Sequence, residues 1–106
     1  MRRKFNDALE LMPKAARKGT VAYLAMKQVQ AVYREEGKLK DLSPEDRLKQ
    51  RQLVIKPLVD AFFAYLKSNH AGISPKMKLG EAFGYALNQE RYLRVFLDDG
   101  EVPMDN

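Results

Sequence analysis

The sequence has no cysteine, no tryptophan and only one histidine among its 106 residues. Without cysteine the chain forms neither a disulfide nor a thiolate metal site, which suits a reducing compartment. The lone histidine, His70, excludes a His-x-x-x-His metal pair within this chain, and its neighbours Asn69 and Gly72 are typical of a loop. No stretch approaches the ~20 apolar residues of a membrane span, and the N-terminus lacks the apolar run of a signal peptide. We therefore expect a soluble, intracellular protein with no membrane partner.

Strand signals and catalytic motifs are also absent. No run alternates β-branched with polar residues, and no glycine-rich phosphate loop follows a strand. The acidic pairs Glu35-Glu36, Glu45-Asp46 and Asp98-Asp99 are adjacent in sequence. Neighbours on a helix point about 100° apart, so these carboxylates do not converge on one metal ion or proton. We interpret Glu35-Glu36 and Glu45-Asp46 as helix-end and surface charges.

Apolar residues recur at helical spacing along most of the chain and predict an all-α fold. The expected architecture is four to five helices around one small core, at about 4–12, 20–37, 44–69, 75–88 and 89–98. Thr20, Ser43-Pro44 and Ser74-Pro75 are predicted to begin three of these helices, because hydroxyl caps and first-turn prolines suit a helix N-terminus. Pro57 is expected to kink the third helix. We expect residues 1–100 to form a single domain and residues 101–106 to form an extended acidic tail.

Gly80 and Gly84 lie four residues apart inside the predicted 75–88 helix. Each costs a helix ~1 kcal/mol relative to alanine, so we expect another backbone to approach closely there. Most aromatic side chains fall on the apolar stripes and are expected in the core rather than on a base-stacking surface.

Charge is distributed unevenly along the chain. Residues 1–18 contain six basic and two acidic side chains, whereas residues 97–106 contain four acidic side chains and no basic one. A basic segment of this kind can contact DNA phosphates without reading sequence. The alternative is that these charges are ordinary solvated helix faces. The candidate DNA-binding residues are Arg2, Arg3, Lys4, Lys14, Arg17, Lys18, Arg47, Lys49 and Arg51.

Several short blocks, in order, resemble bacterial transposases of the insertion sequence 66 family. The blocks are Arg2-Arg3-Lys4-Phe5, Leu42-Ser43-Pro44-Glu45-Asp46-Arg47-Leu48, Lys56-Pro57-Leu58 leading to Phe62-Phe63-Ala64-Tyr65-Leu66, Lys78-Leu79-Gly80, Gly84-Tyr85-Ala86-Leu87-Asn88-Gln89, and Phe96-Leu97-Asp98-Asp99-Gly100-Glu101-Val102-Pro103-Met104-Asp105-Asn106. The two C-terminal blocks are the specific ones, with Asn88, Gln89, Asp105 and Asn106 as motif residues. One departure is Glu90, at a position where the family often has tryptophan.

The resemblance implies that this chain is a helical segment inserted into a ribonuclease-H-like catalytic core. In that family an Asp-Asp-Glu triad binds Mg²⁺, and the helical segment lies between the second Asp and the Glu. By this resemblance the chain itself carries no catalytic carboxylate and no cofactor. It is then an excerpt or a truncated gene product, found in the bacterial cytoplasm and on the nucleoid when bound to DNA. Its expected partners are transposon DNA, the rest of the transposase and a second copy. The alternative is a helical oligomerisation or protein-interaction module without DNA binding, with an exposed face drawn from Tyr23, Leu24, Leu53 and Val54.

Overall fold

The computed structural model describes residues 2–10 and 19–101, and every regular element in these two ranges is helical. The helices are α1 (Arg2–Glu10), α2 (Val21–Gly37), α3 (Pro44–Gln50), α4 (Lys56–His70), α5 (Lys78–Asn88) and α6 (Glu90–Val95). A π-helical turn, Arg51–Ile55, joins α3 to α4, and a 3₁₀ turn, Phe96–Asp98, follows α6. The predicted all-α fold is confirmed. The predicted end of the first helix near residue 12 and the tail at 102–106 lie outside the described residues.

Two helices begin where the sequence predicts. The Thr20 hydroxyl accepts a hydrogen bond from the backbone N–H of Tyr23 at 3.1 Å, at the start of α2. The Ser43 hydroxyl accepts one from the N–H of Asp46 at 3.2 Å, with Pro44 in the first helical position of α3. Each cap satisfies a backbone donor that has no partner within the helix.

Pro57 widens the long helix instead of ending it. Proline has no N–H to donate, and its ring clashes with the carbonyl four residues earlier, that of Leu53. The chain responds with a π-helical turn over Arg51–Ile55, in which the Lys56 N–H donates to the carbonyl of Arg51, five residues back. The predicted kinked helix is thus a continuous helical segment from Pro44 to His70 with one wide turn.

The prediction that Ser74-Pro75 begins a helix is wrong. Helix α5 begins at Lys78, with Met77 in the capping position and no side-chain cap. Residues 74–77 form a turn, in which the Met77 N–H donates to the Ser74 carbonyl at 3.2 Å. This turn folds back over Gly80, where an added Cβ atom would lie 2.0 Å from the Ser74 oxygen. The turn at residues 74–77 brings the Ser74 backbone against Gly80. The helix therefore begins three residues after the predicted start at Pro75.

The core is built around phenylalanines from three helices. The ring of Phe5 lies 5.9 Å from those of Phe62 and Phe83, measured between centroids, and all three side chains are buried. Helix α1 thereby packs between α2 and α5. Full burial of one such ring stabilises the fold by about 1.5–3 kcal/mol. The aliphatic part of this core comprises Ala22, Ala25, Met26, Val29, Val32, Leu39, Ile55, Val59, Leu66, Ala82, Ala86 and Leu97.

Glu90 anchors α6 to α4 through charged contacts. Its carboxylate lies 3.1 Å from the Lys67 ammonium and 2.9 Å from the Arg94 Nε. Arg94 also reaches Asp60 at 2.7 Å and covers the ring of Phe63 at 5.3 Å. Burial raises the pKa of Glu90, but hydrogen bonds from Arg94 and Lys67, with their charges, outweigh it and hold the pKa below its usual value. Ion pairs therefore hold α6 against α4, whereas apolar side chains hold the other helices together.

We predict opposite effects for two alanine substitutions in α5. Gly80→Ala places a methyl group against the Ser74 backbone and lowers the free energy of unfolding by about 1–3 kcal/mol. Gly84→Ala meets nothing within 4 Å, so it raises the free energy of unfolding by about 0.5–1 kcal/mol through helix propensity. Urea denaturation of both variants measures the difference. Equal effects would contradict the close approach at Gly80. The prediction that another backbone also approaches Gly84 is wrong, because nothing lies within 4 Å of a Cβ atom there.

We predict that Glu90 stabilises the fold only where its carboxylate is ionised. Its folded pKa is lowered, so the stabilisation is present above the unfolded pKa of about 4.3 and is lost as pH falls through the lower folded value. Glu90→Gln should lower the free energy of unfolding by about 0.5–1 kcal/mol at neutral pH. That deficit should shrink as the pH drops below about 4.

Denaturation of both proteins across this pH range measures the effect. Glu81→Gln serves as the matched control, since Glu81 is 54% exposed and lies 3.8 Å from Lys78. A deficit for Glu90→Gln that stays constant with pH would contradict the assignment.

Candidate functional site

A buried arginine, Arg51, holds the C-terminal segment of the described chain. It is 2% exposed and forms a two-pronged ion pair with Glu36, with Nε–Oε1 and Nη2–Oε2 distances of 2.7 and 3.2 Å. Its Nη1 donates to the carbonyls of Phe96 and Asp99 at 2.9 and 3.0 Å. The guanidinium also lies 5.0 Å from the centroid of the Phe96 ring. One side chain therefore ties α2 to the segment after α6.

Arg47, one helical turn earlier, makes a second set of contacts with backbone carbonyls. Its Nε donates to Leu39 at 3.2 Å, and its Nη2 donates to Lys40 and Leu42 at 3.0 and 2.9 Å. Its Nη1 donates to the Gly100 carbonyl at 2.9 Å. Arg47 thus closes the loop between α2 and α3 and attaches the chain end to it. We call Arg47, Arg51 and Glu36 together the arginine clamp.

Gly100 fits the clamp because it has no side chain. A Cβ atom there would lie 1.8 Å from the carbonyl oxygen of Pro44 and 3.1 Å from the backbone nitrogen of Leu48. The side-chain amide of Gln52 donates to the Leu97 carbonyl from the same side. The backbone of 96–100 is therefore held against α3 and the π-helical turn along its length.

The interpretation of Glu36 as a surface charge is wrong. Its side chain is 11% exposed, because Arg51 covers it. A signal for this pair was present in the sequence, since Arg51 lies three residues after Leu48 and four before Ile55, on the apolar face of the helix. A charged residue in such a stripe requires a buried partner. The spacing does not reveal which carboxylate supplies it.

The structure separates the candidate DNA-binding residues into distinct groups. Arg47 and Arg51 have their guanidinium groups engaged within the chain, and Arg51 is buried. Lys4 and Lys49 are exposed. The side chains of Arg2 and Arg3 lie outside the described part, as do Lys14, Arg17 and Lys18 altogether.

Two exposed tyrosines each carry a basic side chain over the ring. The Lys4 ammonium lies 5.0 Å from the Tyr85 ring centroid, and the Arg91 guanidinium lies 5.6 Å from that of Tyr92. Tyr85 and Tyr92 are 41% and 63% exposed. The motif residue Asn88, which lies between them in sequence, is exposed at the end of α5. The expectation that aromatic residues are core therefore holds for the phenylalanines but not for these two tyrosines.

An apolar groove of about 280 Å³ opens between α2 and α4. The Tyr65 hydroxyl donates to the Val21 carbonyl at 3.2 Å at this surface, and burial raises the pKa of Tyr65. The groove is lined by Leu24, Lys27, Gln28, Ala31, Leu58, Ala61 and Tyr65. Leu24 is 43% exposed and Leu53, on the π-helical turn, is 71% exposed. Tyr23 and Val54, by contrast, pack against the core.

Neither a metal-binding cluster nor a membrane-spanning helix occurs in the described ranges. Among residues 2–10 and 19–101, no three His, Cys, Asp or Glu side chains lie together as metal ligands. Helices in those same ranges are all too short or too polar to cross a bilayer.

Comparison with known proteins identifies the family. The chain is 33% identical over 105 residues to the uncharacterized protein y4jD of Sinorhizobium fredii (strain NBRC 101917 / NGR234), covering 99% of this chain and 20% of that protein. It is 30% identical over 112 residues to the uncharacterized protein y4hP of the same strain, again covering 99% of this chain and 20% of that protein. No solved structure matches the chain.

The chain thus spans about a fifth of the length of the curated relatives that it matches. The family model described as Transposase IS66 family matches residues 1–106, which is the whole sequence. The resemblance carried by the sequence blocks is confirmed, and this chain belongs to the IS66 family of transposases.

Proposed function

We propose that this chain is a non-catalytic helical insertion of a DDE transposase, which assists DNA binding or assembly during cut-and-paste transposition. The observation that carries this proposal is the match of the transposase family model to the whole sequence, together with the helices that make up all regular structure in residues 2–10 and 19–101. In the proposed arrangement the three carboxylates that bind Mg²⁺ belong to the rest of the transposase. The chain would act in the bacterial cytoplasm, on the nucleoid when DNA is bound.

A basic surface at the N-terminal side supports the DNA role. Helix α1 begins at Arg2 and places Lys4 over the exposed ring of Tyr85. Lys78, 58% exposed, lies seven residues before Tyr85 on the same face of α5. Lysine and arginine side chains on such a surface bind phosphates, and an exposed tyrosine adds contact area beside them. We therefore add the exposed Lys4 and Lys78 to the basic residues of the N-terminal segment as proposed DNA contacts.

We predict DNA binding by this chain that weakens steeply with salt. Replacing Arg2, Arg3, Lys14, Arg17 and Lys18 by alanine should reduce the slope of log K against log salt by about 0.9 for each phosphate that the protein no longer neutralises. Fluorescence anisotropy with a labelled duplex measures this slope. Binding unchanged by these substitutions would contradict the DNA role.

A charge-matched variant controls for net charge. It replaces five exposed lysines that the first variant leaves unchanged: Lys27, Lys38, Lys40, Lys56 and Lys76. The control should retain most of the salt dependence if binding is localised. An equal loss in both variants would mean that only the overall positive charge attracts DNA.

The second candidate function is oligomerisation through the groove between α2 and α4. The observation that favours it is the exposure of Leu24 in an apolar groove, since exposed apolar patches mark interaction sites. The partner in this hypothesis is a second copy of the chain.

The oligomerisation hypothesis predicts a reversible dimer in sedimentation equilibrium at high protein concentration. Leu24→Glu should shift the protein to monomer, because a carboxylate would be buried in an apolar contact. Met77→Glu is the control, since Met77 is 58% exposed and does not line this groove. A wild-type chain that sediments only as monomer would rule out this function.

A further inference from the structure

The segment 96–101 is held by side chains that come from one surface of the helical body. Arg51 donates to the carbonyls of Phe96 and Asp99, and Arg47 donates to that of Gly100. Helical hydrogen bonding stops near here, because Asp99 is extended with φ −148° and ψ 111°. The carbonyls at a helix end need partners from outside the helix. The two guanidinium groups supply them.

The arginine clamp stabilises the fold less than apolar side chains would, because burying its charges costs free energy. Arg51 occupies a position on the apolar face of the helix where leucine or methionine would bury apolar surface without removing a charge from water. Guanidinium groups present several donors in a fixed planar geometry, which apolar side chains cannot imitate. What Arg51 and Arg47 add is therefore orientation of the backbone they bind.

The close approach of Gly100 to Pro44 also indicates that the backbone of this segment is held in one orientation. The backbone of Gly100 touches the first turn of α3, where any side chain would collide with the Pro44 carbonyl. The next residue is also ordered locally, since the Glu101 N–H donates to the Asp99 carboxylate at 2.9 Å. The path of the chain is thus defined by contacts up to Glu101.

We infer that Arg47 and Arg51 are positioning residues that fix the direction in which the chain leaves the helical body after Gly100. What that direction serves rests on the proposed function, under which the segment that follows leads toward the catalytic glutamate of the transposase. A defined starting point would limit the positions that this carboxylate can reach. The pair thus acts through the backbone of 96–101 and not by touching DNA.

Distance measurements between spin labels test this inference directly on the chain. The protein has no native cysteine, so labels attach only at introduced sites, Gln30→Cys on α2 and Glu101→Cys after the clamp. Double electron–electron resonance should give a narrow distance distribution for this pair in the otherwise unchanged protein. A broad distribution there overturns the inference whatever the variants do.

Two variants then release the clamp. Arg47→Met removes the contact with Gly100, and the double variant Glu36→Met with Arg51→Met removes the buried pair as a unit, leaving no unpaired buried charge. Either variant should broaden the Gln30–Glu101 distribution by about twofold or more, since a chain end that is not tied down becomes poorly ordered. A distribution that stays narrow in both overturns the inference.

Two controls separate positioning from stability. A second label pair, Gln30→Cys with Ser68→Cys, lies within the helical body and should keep its narrow distribution in the same variants. Arg91→Met removes an exposed arginine outside the clamp and should change neither pair. Broadening of both label pairs together would show that the clamp only maintains the fold, and would overturn the inference.

The outcome is independent of the DNA titration. The label distances require no DNA, so a chain that fails to bind DNA still reports whether the clamp holds the segment. Conversely, a broad Gln30–Glu101 distribution with intact, localised DNA binding would remove the positioning role and leave the proposed function standing.

Discussion

The ion pair of Arg51 and Glu36 is the interaction on which the position of the segment after α6 depends. Removing two charges from water costs several kcal/mol per ion, and mutual attraction offsets this only with good geometry and full hydrogen bonding. Here the guanidinium meets both carboxylate oxygens, and Nη1 is taken up by two carbonyls. The pair therefore joins the end of α2, the π-helical turn and the segment after α6 into one unit.

The π-helical turn before Pro57 determines where Arg51 of this ion pair lies. In a regular helix the missing N–H of proline would leave the Leu53 carbonyl without its partner, and the ring would crowd it. The π-helical turn over Arg51–Ile55 absorbs this defect and carries Arg51 within it. Single π-helical turns often occur at functional positions in other proteins. Pro57 thus affects the path of the chain near Phe96. It does so through the π-helical turn, because Arg51 in that turn donates to the Phe96 carbonyl.

Charge on this protein serves two separate purposes. Arg47, Arg51 and Arg94 are engaged with carbonyls and carboxylates inside the chain, where each replaces apolar packing between elements. Lys4 and Arg91 remain exposed beside tyrosine rings. Net charge of +5 alone does not distinguish these groups. Exposed basic side chains such as these are accessible to a polyanion, whereas the buried guanidinium of Arg51 is not.

The sequence by itself determined the helical architecture, the caps at Thr20 and Ser43 and the irregularity at Pro57, because each follows from local periodicity or backbone chemistry. The family was also readable from short blocks of residues. The tertiary structure decided which charges are buried, since Glu36 and Arg51 are 15 residues apart and meet only when α2 packs on the π-helical turn. It likewise decided that Gly80 is crowded and Gly84 is open, although they share one helix. Contacts between distant elements depend on packing geometry, which local patterns of residues do not contain.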